Sequence, residues 1–178
     1  MMKKFIVFEG CDGSGKSSCA LEFAKQINGI YYKTPPQIFE SLRKPIESMQ
    51  DYNLRFYYYL SGTIYAAHEI TELLNNNHVV CDRYIYSTIA YHRALGISVN
   101  DNLSQNIIQA DYTFCLYTKE EEIIKRIGQR ENLGVFDTNL DFQKKIFQEF
   151  NKFPMEFFDT TGLSVQESVE KLLKKVNL

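Results

Sequence analysis

Apolar residues fall along this chain in two rhythms, and the two alternate. Short continuous runs of β-branched and aromatic residues occur at Lys4–Phe8, Ile30–Lys33, His78–Cys81 and Tyr112–Tyr117. Runs of this length, closed by turn-forming or charged residues, predict buried strands, and a fifth short strand is expected near Phe157. Between them apolar residues recur at helical spacing. Ser17–Ile27 carries Leu21, Ala24 and Ile27 on one face. Tyr52–Leu74 is long, aromatic and unbroken by proline despite Gly62, and Asn75, Asn76 and Asn77 end it. Helices are also expected over Ile85–Leu95, over the charged stretch Glu120–Gln129, over Asp141–Phe150 and from Ser164 onward. Pro35 and Pro36 deny a ladder its donors and stop the second strand, after which a loop and a further helix follow. Strands alternating with helices predict an α/β fold with a parallel sheet covered on both faces, because each crossover must carry the chain back over the sheet.

Composition narrows the partners more than the fold. The 178 residues suit one domain, with 44% hydrophobic and 24% charged residues and a net charge of −2. Twenty Lys and Arg against twenty-two Asp and Glu, spread through the chain, leave no basic stripe for a nucleic-acid backbone. Neither a nucleic-acid nor a membrane partner is expected. The opening MMKKFIVFEG has only four consecutive apolar residues before Glu9, too few for a signal-peptide core, so a cytoplasmic location is expected. Cys11, Cys19, Cys81 and Cys115 lack paired spacing and read as free thiols rather than a zinc or disulfide framework.

The chemistry concentrates after the first strand. Gly10-Cys11-Asp12-Gly13-Ser14-Gly15-Lys16-Ser17 matches G-x-x-x-x-G-K-[ST] between a predicted strand and a predicted helix. In that context glycines let backbone N–H groups turn inward onto phosphates, the helix N-terminus adds partial positive charge, and Lys16 reaches the β- and γ-phosphates. Ser17 is placed for Mg²⁺, and Ser18 follows it in the first helical turn. The competing reading is a glycine-rich turn with an incidental Lys-Ser. His78-Val79-Val80-Cys81-Asp82 is an apolar strand ending in a carboxylate, as a metal-holding acid at the sheet edge requires, and Arg83 adds a guanidinium suited to phosphate. Alone, Asp82 and Arg83 would read as a surface ion pair.

FEGCDGSGKSS at 8–18, DRYIYSTIAY at 82–91 and the order of elements together resemble the thymidylate kinase family of nucleoside monophosphate kinases. That resemblance implies a P-loop NTPase fold: a three-layer α/β/α domain over 1–178, a five-stranded parallel sheet and a short helical lid at about 126–140. It implies transfer of the ATP γ-phosphate to a pyrimidine monophosphate, dTMP foremost, with ATP and Mg²⁺ required and a homodimer expected. Carried over position by position, Lys16 and Ser17 take the donor phosphates and the metal. Asp82 acts near the metal, Arg83 on the acceptor phosphate, and Asp12 on the acceptor's 3′-hydroxyl. Arg126 and Arg130, on the helix leading into the lid, would reach the transferring phosphoryl group; a solvated basic face is the rival reading. Lys33 and Arg43 would help hold the acceptor phosphate. Tyr59 stands at the base-stacking position, and Ser87 and Tyr91 line the same pocket.

The chain also departs from the family pattern. Lys33-Thr34-Pro35-Pro36 stands where Arg-Glu-Pro-Gly-Gly is usual, and Gly134-Val135-Phe136-Asp137 where the lid usually reads Asp-Arg-Phe-Glu. Thr63 takes the place of an arginine that bonds the base, and His92 replaces a frequent glutamine. Phosphoryl chemistry is therefore better defined than the accepted base. Two alternatives stay open. One is a deoxynucleoside kinase, for which Glu9 would be the candidate base; the other is a P-loop switch protein with no kinase activity.

Overall fold

A computed structural model describes residues 2–128 and 139–178. Its strands β1 (Phe5–Gly10), β2 (Ile30–Lys33), β3 (Val79–Asp82), β4 (Tyr112–Tyr117) and β5 (Glu156–Asp159) form one sheet in the order β2-β3-β1-β4-β5. Every pairing is parallel, so all five carboxyl ends lie on one edge. Seven α-helices are described: α1 (Lys16–Gln26), α2 (Glu40–Ser48), α3 (Tyr52–Leu73), α4 (Ile85–Ala94), α5 (Glu120–Ile127), α6 (Leu140–Phe150) and α7 (Val165–Leu173).

Alternation along the strands sorts the side chains into layers. Ile6 and Phe8 of β1 meet Cys19, Ala20 and Phe23 of α1 and Val169 and Leu172 of α7 on one face. Phe5 and Val7 meet Ala66 and Ile70 of α3 and Ile85 and Ile89 of α4 on the other, where Ala90 of α4 also packs on Phe142, Ile146 and Phe150 of α6. The expected three layers follow.

Several details differ from the sequence expectation. β1 runs past Phe8 because Glu9 and Gly10 pair with Cys115 and Leu116 of β4; a carboxylate inside a strand is tolerated here because helix N–H groups receive it. The helix after the Pro35–Pro36 turn contains Pro45. The charged helix ends at Ile127, and Gln129 falls outside the described residues.

The edge that carries the strand ends also carries the glycine-rich turn, Lys33, Asp82 and Arg83. β1 lies between β3 and β4, the strands entered after the chain has returned from β2 at the sheet's rim. The register sets Phe8 against Asp82, and Lys33 against Asp82 from the other side. A crevice beyond the carboxyl ends where strand order reverses is the usual ligand position in such sheets.

Candidate active site

Gly10 ends β1, Cys11, Asp12, Gly13, Ser14 and Gly15 form the turn into α1, and Lys16, Ser17 and Ser18 lie in the first helical turn. Gly15 is the N-cap at φ 88°, a left-handed conformation that a side chain resists, and no side chain caps the helix. The first N–H groups of α1 therefore stay available to an anion. Lys16 is buried with its Nζ 3.7 Å from Asp12 Oδ1, while Ser17 and Ser18 are exposed.

Asp12 is the hub of a second cluster, formed by Arg83 just after β3 and by Ser87 and Tyr91 of α4. Arg83 Nη2 donates to Asp12 Oδ1 at 2.5 Å and to the Tyr91 hydroxyl at 2.9 Å. Its Nη1 donates to the Gly10 carbonyl at 3.2 Å and to Ser87 Oγ at 3.1 Å. Tyr91 closes the ring by donating to Asp12 Oδ2 at 2.7 Å. Burial raises the pKa of Asp12, but the Arg83 and Lys16 charges, with hydrogen bonds from Tyr91 and Gln143, outweigh it and hold the carboxyl well below the usual range. Arg83 adopts φ 66°, rare for a residue with a side chain. Its N–H donates to the Phe8 carbonyl, and its own carbonyl accepts from Thr34 Oγ1 and Cys81 Sγ, so the surroundings hold the strained turn.

The neighbouring acid, Glu9, does different work. It is fully buried and accepts from the backbone N–H groups of Tyr84 and Ser87 and from the Ser87 hydroxyl. Those amides open α4, whose own N-cap residue supplies no side-chain bond, so β1 caps this helix from below. Burial raises the pKa of Glu9, against the hydrogen bonds and the Arg83 charge. With both oxygens so engaged, Glu9 works as the cap of α4.

Asp82 is almost wholly buried, and Tyr31 donates to its Oδ2 at 3.0 Å from β2. Its Oδ1 has no hydrogen-bond partner among the described residues. An unfilled buried carboxylate oxygen beside the phosphate cradle fits a metal ion or its bound water, as does the exposed Ser17 hydroxyl.

The remaining predicted residues divide. Lys33 is exposed at the end of β2. Arg43 and Tyr59 both turn to Glu47 of α2: Arg43 Nε donates to it at 3.2 Å, the Tyr59 hydroxyl donates to the same oxygen, and Arg55 approaches at 3.6 Å. The Tyr59 ring lies 5.8 Å from that of His92 on α4. At the position of the family's base arginine, the buried Thr63 hydroxyl pairs with Thr88 Oγ1 at 3.1 Å. Arg126 donates to the Gly13 carbonyl at 3.3 Å and to Thr160 Oγ1 and O at 3.2 Å each, and pairs with Glu122. It is thus half-buried against the cradle rather than solvated. Arg130, Gly134, Val135 and most of the expected lid lie outside the described residues.

Sequence reasoning missed Gln143 of α6, whose Oε1 accepts the Asp12 N–H at 3.1 Å and whose Nε2 lies 3.5 Å from Asp12 Oδ2. The two residues are 131 positions apart, and no motif marks a glutamine in a helix. A cleft of about 380 Å³ opens beside the turn, lined by Cys11, Ser14, Tyr117, Ile123, Gln143 and Phe147 among others. Burial pushes the Cys11 thiol up to about 12, so it is inert at neutral pH. A wider cleft of about 640 Å³ lies at the far ends of α4 and α6 and contains none of the predicted site residues.

A family model described as Thymidylate kinase matches residues 8–176. The probable thymidylate kinase of Methanococcus vannielii is 35% identical over 156 aligned residues, covering 85% of this chain and 78% of that protein. That of Methanococcus aeolicus is 31% identical over 195 aligned residues, covering 98% and 96%. Among solved structures, thymidylate kinase from Candida albicans superposes with a TM-score of 0.78 at 22% identity, over 98% of this chain and 91% of that one. The Ehrlichia chaffeensis enzyme gives 0.71 at 22%, over 99% and 100%. Fold, phosphate cradle and sequence relatives converge: this chain belongs to the thymidylate kinase family.

Proposed function

We propose that this chain transfers the ATP γ-phosphate to dTMP, giving dTDP. The observation that carries the reading is the hub at Asp12, one carboxylate shared by the donor-side Lys16 and the acceptor-side Arg83 and Tyr91. Two substrates meeting at that point need little covalent help from the protein, because phosphoryl transfer depends mainly on alignment and charge neutralisation. The N-terminal amides of α1 and Lys16 hold the donor phosphates. Arg83 exchanges Asp12 for the acceptor phosphate, which frees Asp12 Oδ1 to accept from the sugar 3′-hydroxyl, while Tyr91 and Ser87 keep the pocket in shape. Lys33, Arg43 and Arg130 add positive charge around the acceptor and the transferring group. Asp82 and Ser17 would hold Mg²⁺, which when bound neutralises charge on the donor phosphates.

Glu9, spent on capping α4, weakens the deoxynucleoside-kinase alternative, which needs a base at the sugar hydroxyl. The Thr63 hydroxyl donates to the Tyr59 carbonyl at 2.9 Å and so accepts from Thr88, which leaves no arginine fork to read the base edge, and neighbouring pyrimidines are expected as secondary substrates. A missing methyl changes efficiency by roughly 10–200-fold in an apolar pocket. We place the enzyme in the cytoplasm, where its four buried free cysteines stay reduced, and in a homodimer.

The decisive assay couples ADP production to a screen of dTMP, dUMP, dCMP, CMP, UMP, dGMP and thymidine with ATP and Mg²⁺. dTMP is expected to be the best acceptor, with dUMP roughly 10–200-fold less efficient, and Lys16→Ala should abolish transfer. Phosphorylation of thymidine but not dTMP would overturn the assignment, as would nucleotide hydrolysis indifferent to every monophosphate.

A further inference from the structure

Helix α6 touches the phosphate cradle at two successive residues. Cys11 Sγ donates to the Gln143 carbonyl at 3.5 Å, and the Gln143 side chain spans residue 12, taking its N–H at 3.1 Å and reaching toward its carboxylate at 3.5 Å. Gln143 is itself buried, at 3% exposure. The adjoining Phe142 meets the Tyr91 ring edge-on at 6.3 Å, so α6 braces both Asp12 and the tyrosine that bonds it. Asn139 caps the helix by accepting the Phe142 N–H at 3.0 Å, which fixes the turn carrying these residues.

Few side chains can do what Gln143 does here. An amide offers one acceptor and two donors on a planar group, so it can take a backbone N–H and face a carboxylate together. A carboxylate there would repel Asp12; an apolar side chain would orphan the Asp12 N–H. A lysine or arginine would compete with Arg83 for the charge. The division of Asp12's oxygens gives the amide a purpose. Oδ1 faces the two cations, Arg83 at 2.5 Å and Lys16 at 3.7 Å, while Oδ2 faces the neutral donors Tyr91 and Gln143. When the acceptor phosphate draws Arg83 away, Oδ1 is left beside Lys16. A carboxylate free to turn would then close on that lysine and be lost to the sugar.

We propose that Gln143 is a positioning residue for acceptor recognition: it holds residue 12 so that the carboxylate keeps Oδ2 toward α6 and presents Oδ1 to the acceptor's 3′-hydroxyl. This rests on the reading of Asp12 as the sugar's partner. The test compares dTMP with its 3′-deoxy counterpart, taking the ratio of kcat/KM values so that any general loss of folded enzyme cancels. In Gln143→Met, which keeps length and volume without the amide, the preference for the 3′-hydroxyl should fall about tenfold, while the KM for ATP stays within about twofold. Gln143→Glu should lose more of the preference, because a like charge then faces Asp12. Equal losses for both acceptors in Gln143→Met, or wild-type behaviour of Gln143→Glu, would overturn the proposal. Asp12→Ala is run in parallel: an intact 3′-hydroxyl preference there rejects the sugar role of Asp12 itself and the proposal with it, whereas its collapse beside an unaffected Gln143→Met rejects Gln143 alone.

Discussion

Two acids three positions apart, Glu9 and Asp12, show how partners rather than residue type set the behaviour of a buried group. Glu9 meets amide and hydroxyl donors with its charge largely uncompensated, and burial raises its pKa; Asp12 meets two cations and is held ionised. His92 is a third case. Its Nδ1 lies 2.6 Å from the Thr88 carbonyl, which can only accept, so Nδ1 carries the proton and Nε2 faces the interior without a partner among the described residues. Burial lowers its pKa to about 4, the Arg55 charge adding to burial and the Thr88 bond opposing it. At this ring the folded state therefore binds fewer protons than the unfolded one between pH 4 and about 6.5, so its contribution to stability rises with pH across that window and is lost on acidification. The contribution is about 3 kcal/mol when the full window is crossed. Urea unfolding of the wild type and His92→Gln at pH 4.5, 5.5 and 6.5 should give a flatter pH dependence for the variant; parallel curves would refute the assignment of the neutral buried ring.

At the level of elements, the long helix α3 carries a glycine in its interior, a residue that ordinarily costs a helix about 0.5–1 kcal/mol relative to alanine. The reason lies in packing. A Cβ on Gly62 would stand 2.8 Å from Pro35 Cβ, an atom fixed in a ring. The glycine lets α3 press onto the Pro35–Pro36 turn, which leads from β2 into α2 with its Arg43–Glu47 pair. Gly62→Ala should therefore reverse the usual sign and destabilise by roughly 1–3 kcal/mol through overpacking. A denaturation midpoint at or above wild type would show that the turn can give way. Helix ends were legible where a side chain caps them: Ser164 and Glu167 form a capping box at the start of α7, the pattern that marks it in the sequence. The start of α4 at Ile85 was legible as well, although its cap arrives from β1, 75 positions away, outside any local rule. Pro45 inside α2 likewise breaks a local rule.

For the whole molecule, the outer face of α3 remains to be covered. Leu54, Tyr57 and Ile64 follow helical spacing, and Tyr57 is 62% exposed with Leu54 and Ile64 at 39% and 42%. An apolar stripe of this kind suits a self-complementary contact with a second copy. Light scattering on the wild type should report a dimer, and Tyr57→Glu combined with Ile64→Glu should give a monomer; an unchanged dimer would locate the interface elsewhere. The layered α/β order, the sheet's five strands, the glycine-rich turn and the placing of Asp82 and Arg83 at a strand end were all determined by local pattern, because strand runs, helical spacing and a glycine-rich turn are written in neighbouring residues. Tertiary structure alone decided the work of Glu9, the engagement of Arg43 and Tyr59 with Glu47, the seat of Arg126 on Gly13 and Thr160, and the bracing of Asp12 by Gln143. Each of those joins residues remote in the chain through groups of common type, and hydrogen bonds between remote residues leave no periodicity to read.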